Sequence, residues 1–335
     1  MISLKNSVVG LAIFSAILIG WLPPAAAQSS TLTAFYTAPV VSMAPMWIAK
    51  EAGFFKKQGL DVRLVFIASG PLGTTAILSG EVDVGIIGGF APTRAIAGGA
   101  KNLVIIGQSK NRMTGAIVGK KEIASVQDLK GRRFGIDRIG SNPDMFTQAS
   151  LARFNMDPLK DLQYIQLGSI AQGIPALKAG MVDAVSTSTP HDLFAQRLGF
   201  KVILDITALK IPFAATVLLS ARNTVERKQA DLGKFMRAYA EAVHYYLTNR
   251  EGTAQIVSKY TKVEDREVVN YSIEAEAAAM ERTLQVDPKG IELILALINR
   301  AAPQPLSART EEFYDPRFTS ELRDSGFLKK LWAEK

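Results

Sequence analysis

Short continuous apolar runs recur along the chain between segments whose apolar residues fall three and four apart, the mixed signature of buried strands and helices. The strongest regularity is a repeat at an offset of one hundred positions. Ala76-Ile77-Leu78-Ser79-Gly80-Glu81-Val82-Asp83-Val84 falls on Ala176-Leu177-Lys178-Ala179-Gly180-Met181-Val182-Asp183-Ala184. Each copy reads as a helix, a Gly able to take the left-handed cap, and a turn into a buried strand, at 82–87 and at 182–187. Upstream, 62–67 and 162–167 read as apolar strands ending in small-residue loops. The helices before them run from 45 to about 57, stopped by Gly59, and from 143 to about 154, stopped by Asn155. Pro45 and Pro143 open them at the favoured first helical position. The first strands fall at 32–36 and 133–137.

Each copy therefore spells strand, helix, strand, helix, strand, the alternation that builds a mainly parallel sheet with helices on its faces. The predicted fold class is α/β, with two lobes. Beyond Val225 the period becomes helical, with Leu232, Phe235, Met236, Tyr239, Val243 and Tyr246 on one face. Further helices are expected at 264–281, 288–300 and 319–331, forming a C-terminal helical layer on one lobe. Segments 116–118 and 215–219 flank the second copy and are expected to be paired strands crossing between lobes. Lobe 1 would then comprise 28–115 and 216–335, and lobe 2 would be the insertion 116–215.

The first residues have a different character. Lys5 precedes an apolar run over 7–22, followed by Pro23, Pro24 and Ala25-Ala26-Ala27, the layout of a cleavable signal peptide. The run is 16 residues long, short of the roughly 20 that a spanning helix needs. Cleavage is expected between Ala27 and Gln28, releasing a soluble chain to the periplasm. Of 335 residues, none is Cys and two are His, which argues against disulfides, a cysteine nucleophile or a zinc site. The net charge of +8 comes from Lys and Arg interspersed with acids, a solvated surface and not a nucleic-acid stripe.

In open parallel sheets, ligands bind at the carboxyl ends of the strands. The loops there are small and polar: 37–42, 68–75 and 88–91 in the first copy, 140–142, 168–170 and 186–189 in the second. Their hydroxyls and helix N-terminal N–H groups suit a small anionic or polar organic solute. Such residues also serve as routine caps, so their joint occurrence carries the argument. The candidate ligand-binding residues are Ser42, Ser69, Thr74, Phe90, Ser141, Asn142 and Thr187, as donors or apolar walls. Trp47 reads more readily as core, and Arg94, Arg112 and Arg138 are cations able to pair an anion. Asp83 and Asp183 are assigned to turns. No catalytic residue, metal site or cofactor is expected, and His191-Asp192 lacks a nucleophile elbow.

Several segments carry a family resemblance across nearly the whole chain after the leader. They are Ala44-Pro45-Met46-Trp47-Ile48-Ala49-Lys50-Glu51-Ala52-Gly53-Phe54-Phe55 with Gly59-Leu60-Asp61-Val62, and Ser79-Gly80-Glu81-Val82-Asp83. With them go Asp128-Leu129-Lys130-Gly131 before Phe134-Gly135-Ile136, then Asp315-Pro316 with Ser325-Gly326-Phe327. In these the chain resembles periplasmic substrate-binding proteins of ABC transporters, of the sulfonate, nitrate and taurine type grouped with thiamine-pyrimidine-precursor binding proteins. The resemblance implies a type II periplasmic-binding-protein fold, hinge closure over a small-molecule solute, and delivery by a monomer to an ABC permease in the inner membrane. By position, the family's ligand loops fall at 42–44, 69–74 and 140–144. The last reads Gly140-Ser141-Asn142-Pro143-Asp144, where relatives often have Ser or Thr in place of Pro. Proline removes one backbone donor, which favours a larger or less charged ligand.

Two alternatives share this fold. One is a sensor module that presents its ligand to a membrane receptor. The other is an enzyme similar to thiamine-pyrimidine synthases, which rely on a cysteine-rich motif and an internal Lys-His site. This chain has no Cys, and His191 and His244 are not in a comparable setting.

Overall fold

The computed structural model describes residues 30–189, 191–301 and 308–333. The expected leader and its cleavage point after Ala27 lie outside them. In chain order the strands are β1 (Ser30–Tyr36), β2 (Leu60–Phe66), β3 (Val84–Ile87), β4 (Leu103–Arg112), β5 (Ala116–Gly119), β6 (Arg133–Ile136), β7 (Gln163–Gln166), β8 (Ala184–Thr187), β9 (Lys201–Asp205) and β10 (Pro212–Ala221). Among the described residues they form two five-stranded sheets, ordered β2-β1-β3-β10-β4 and β7-β6-β8-β5-β9. The leading three strands of each sheet are parallel, and β10 and β5 run antiparallel to their neighbours.

The hundred-residue repeat persists in the register. Ser30 pairs with Leu60 and Arg133 with Gln163, the same offset of thirty, while Ala34 faces Val84 as Phe134 faces Ala184. Gly80 and Gly180 both sit in the left-handed region, at φ 77° and 70°, where a side chain would be strained. Asp83 and Asp183 are structural, as their turn positions suggested. Each carboxylate accepts the first-strand N–H of its own copy, Thr33 at 2.9 Å and Arg133 at 3.2 Å.

The helices are α1 (Ala44–Glu51), α2 (Phe54–Lys57), α3 (Gly70–Ser79), α4 (Phe90–Ala97), α5 (Asn142–Ala152), α6 (Pro158–Asp161), α7 (Gly173–Lys178), α8 (His191–Arg197), α9 (Arg222–Arg227), α10 (Gln229–Thr248), α11 (Arg250–Thr261), α12 (Arg266–Ala277), α13 (Pro288–Ala301), α14 (Arg317–Asp324) and α15 (Phe327–Ala333). Two predicted helices are broken by glycine. Gly53, at φ 77°, separates α1 from α2, and Gly326, at φ 73°, separates α14 from α15. The apolar face of α10 is buried against α1, α2 and α14, and its Phe235 stacks on Phe55. Burying each large side chain there stabilises by about 1.5–3 kcal/mol. Trp47 is fully buried, stacked on Tyr260 at 4.7 Å between centroids, so it belongs to the core. No helix among the described residues is long and apolar enough to cross a membrane.

The expected pairing of 116–118 with 215–219 does not occur. The first segment lies in β5, between β8 and β9, and the second in β10, between β3 and β4. Both are antiparallel return strands inside their own sheets. The chain instead passes between the sheets at 113–115 and 206–211, so 212–215, expected in lobe 2, belong to the first sheet. At the crossing Met113 N–H donates to the Ile211 carbonyl at 2.9 Å and Ile206 N–H to the Gly115 carbonyl at 3.0 Å.

Candidate functional site: the cleft between the two sheets

The parallel strands of both sheets end at one cleft. Thr37 follows β1 and Asp137 follows β6, the same position in the two copies of the repeat. Each repeats one backbone bond: the Thr37 carbonyl accepts from Ser69 N–H and the Asp137 carbonyl from Gly168 N–H. Both residues line the cavity between the sheets, whose other walls come from Ala38, Val40 and Ser42-Met43, from Ser69-Gly70, from Asn142-Pro143 with Phe146, and from Ala215-Thr216. The free space is small, about 60 Å³, enough for a few waters at about 10–15 Å³ each on the same measure.

Direct hydrogen bonds across the cleft hold the two sides together. Asn142, at the start of α5, accepts from Phe90 N–H at 3.2 Å and donates through Nδ2 to the Ala215 carbonyl at 2.7 Å. Val41 N–H donates to the Thr189 carbonyl at 3.2 Å. Gly88 lies so close to Asn142 that a Cβ built there would come within 2.3 Å of the amide carbon. Arg197 on α8 pairs with Glu267 and Asp265 at α12 on the outside of the cleft.

Lys110 and Asp137 are the charged side chains of the cavity wall. The Lys110 ammonium bonds Glu276 at 2.9 Å and Thr114 Oγ1 at 2.7 Å, and Thr114 in turn donates to Glu276 at 2.6 Å. Asp137 accepts from the Ser141 hydroxyl and takes part in no ion pair among the described residues. Burial pushes its carboxyl up to about 6, and the neighbouring Asp144 carboxylate adds to the rise against the Ser141 hydrogen bond. Burial likewise raises Asp144, which accepts Gly140 N–H at 2.8 Å.

The N-terminus of α5 is accordingly poor in free donors. Pro143 has no N–H, Asp144 N–H is taken by Ser141 Oγ at 3.3 Å, and Ser141 N–H by the Arg138 carbonyl. The donors of the loop at 140–142 are largely taken by the protein's own groups, in line with the loss of a donor expected from Pro143.

Of the seven candidate residues, the cavity brings together Ser42, Ser69, Ser141 and Asn142. Ser69 Oγ is buried without a partner, on a residue held at φ 84°. Thr74, Phe90 and Thr187 lie off the wall. Thr74 donates back to the Gly70 carbonyl within α3, as helical threonines do. Phe90 is buried in the core, and only its backbone meets Asn142. The Thr187 hydroxyl is buried beside the crossing segment, without a partner. Arg94, Arg112 and Arg138 are also absent from the wall. Lys110 was missed because a lysine inside an apolar strand carries no motif. Asp137 was legible only as the repeat partner of Thr37.

Comparison with known proteins decides the family. The family model described as NMT1/THI5 like matches residues 41–252, well over half of the chain. The chain belongs to the NMT1/THI5-like family. Among relatives of this NMT1/THI5-like chain, the putative binding protein YtlA of Bacillus subtilis is 26% identical over 243 residues, 70% of this chain and 72% of YtlA. Solved structures share the fold at lower identity. The nitrate-binding protein NrtA of Synechocystis superposes with a TM-score of 0.74 at 17% identity, over 89% of each chain. The alkanesulfonate-binding protein SsuA of Xanthomonas axonopodis, bound to MOPS, gives 0.71 at 20% identity, over 85% of this chain and 96% of SsuA. The fold of this family member is therefore that of periplasmic binding proteins.

Proposed function

We propose that this protein is the periplasmic solute-binding component of an ABC-type importer, capturing a small solute in the interlobe cleft and presenting it to a membrane permease without chemical change. The observation that carries this reading is the cavity itself, enclosed between corresponding strand ends of a duplicated unit and bridged by Asn142, which bonds to the opposite lobe. Relatives described as binding proteins, YtlA among them, support it, as do the structural likenesses to NrtA and SsuA. The leader-like N-terminus supports a periplasmic location.

In this reading the structure corresponds to the closed state. A cavity of about 60 Å³ leaves room for a few waters and little more, so a solute enters as the lobes separate, and the crossing segments at 113–115 and 206–211 are where they would turn. A solute at one hundred times its Kd stabilises the closed chain by about 2.7 kcal/mol. A thermal-shift screen of the chain from Gln28 onward, against small polar and charged solutes, tests the proposal. A rise of several degrees for one chemical class is expected, and no shift across the screen would contradict solute capture.

A further inference from the structure

The charge balance of the cleft names a ligand class. Of the two charged side chains on the cavity wall, Lys110 is already neutralised by Glu276 at 2.9 Å, both side chains being 5% exposed or less. Asp137 is 7% exposed, lines the cavity, and is paired with no cation among the described residues. Its neighbour Asp144 acts on it as a like charge, and the nearby Arg94 guanidinium offsets Asp144 itself. Beside this carboxyl stand the unpartnered hydroxyl of the buried Ser69 and a helix start stripped of donors by Pro143 and by the Ser141 cap. An anion entering here would face an uncompensated carboxylate with few N–H groups to receive it. A cation would supply the counter-ion that the fold omits.

Resting on the solute-capture reading, we infer that the cleft selects a solute bearing a protonated nitrogen, an amine or amidine, which Asp137 receives as its counter-ion. Asp137 accepts the N–H directly, while Ser141 fixes the carboxyl from behind. Ser69 and Thr37 supply hydroxyls from the opposite lobe. The repeat explains the asymmetry: the equivalent position after the first strand carries a neutral hydroxyl in one lobe and a carboxyl in the other, so charge recognition is assigned to the second lobe. The Lys110–Glu276 pair takes no part in recognition, because each is the other's partner.

The test is calorimetric titration of the full chain from Gln28 with butylamine, benzylamine and benzamidine, set against butyrate, benzoate and butanesulfonate, for wild type and Asp137→Asn. Asparagine keeps an acceptor for Ser141 and removes only the charge. The expected result is that a cationic probe binds wild type and loses at least tenfold in affinity in the variant, with no binding of the matched anions. An anion that binds wild type as well as or better than its cationic match, or that is unaffected by the substitution, overturns the inference and leaves solute capture standing. Binding by none of the six also overturns it. A neutral solute that raises the melting temperature would then preserve solute capture alone. A second readout separates recognition from structure. Unliganded Asp137→Asn should melt higher than wild type at pH 7.5, because a buried unpaired charge is gone, whereas Asp83→Ala, which removes the acceptor of Thr33 N–H, should melt lower. A lower melting temperature for Asp137→Asn would assign Asp137 to the scaffold.

Discussion

Lys110 and Glu276 meet at 2.9 Å, their side chains 5% and 2% exposed, although 166 positions separate them in the chain. They join the end of β4 to α12, and through Glu276 they hold Thr114 at the crossing segment and Thr189 on the far lobe, at 2.6 and 3.2 Å. The pair thus ties the hinge to the helical layer. Removing one partner strands the other charge in the interior, so Glu276→Ala is expected to lose about 3–5 kcal/mol of stability. Replacing both by apolar residues, Lys110→Met with Glu276→Leu, should restore most of it. Denaturant titration of the two variants checks this. Equal losses in both would mean that the hydrogen bonds to Thr114 and Thr189 matter and the charges do not.

Asn142 makes two of the bonds across the cleft, accepting from Phe90 N–H and donating to the Ala215 carbonyl. Each such bond contributes about 0.5–1.5 kcal/mol net. Asn142→Ala should therefore favour the open form by roughly that amount per bond, leaving each lobe intact. Solute affinity should fall by about tenfold through lost closure, while the melting temperature without solute changes little. A melting temperature that drops by ten degrees or more would instead place Asn142 in the scaffold.

Gly88 offers the complementary substitution. It needs no left-handed backbone, and the nearest atoms its Cβ would meet are those of the Asn142 amide across the cleft, at 2.3–2.5 Å. Gly88→Ala should fold as wild type and fail to close, and Gly88→Ala with Asn142→Ala should recover part of the solute affinity. Independent, additive losses in the double variant would contradict this contact.

Two of the buried carboxyls raised by burial make stability depend on pH. Burial pushes Asp137 and Asp192 each up to about 6. A carboxyl whose folded value exceeds its unfolded one binds its proton more tightly when folded. Its stabilising effect is complete below the unfolded value, near pH 4, and is lost as pH rises through 6. For Asp137 the ionised form costs about 3 kcal/mol. Asp183 acts with the opposite sign. Its Arg133 hydrogen bond holds its carboxyl below the usual range, so its contribution is present above about pH 4 and lost in acid. The difference in midpoint between Asp137→Asn and wild type isolates the first effect. It should be near zero at pH 4 and grow in favour of the variant by pH 7. A constant difference would contradict a buried, ionisable Asp137.

Much of the architecture was legible because it is written locally. The offset of one hundred positions, the glycines at 80 and 180 and the acids at 83 and 183 reappear as equal registers, equal caps and equal strand-end bonds. The breaks at Gly53 and Gly326 were not legible, since a glycine inside a periodic segment marks a break only when the next turn packs elsewhere. The placement of β5 and β10 was equally hidden, because an antiparallel return strand has the same apolar run as a parallel one. At the site, small polar residues at strand ends pointed to a cleft, and four of the seven candidates line one cavity there. Thr74 and Phe90 left the wall because the helix carbonyl and the core compete for them. Lys110 depends on Glu276 from a distant helix, a pairing that no local pattern carries.

Small-angle scattering with a solute identified by thermal shift tests the central claim, solute capture by closure of two lobes, most directly. Wild type should contract when the solute is added and Gly88→Ala should not. A wild-type profile unchanged by a saturating, stabilising solute would contradict capture by closure.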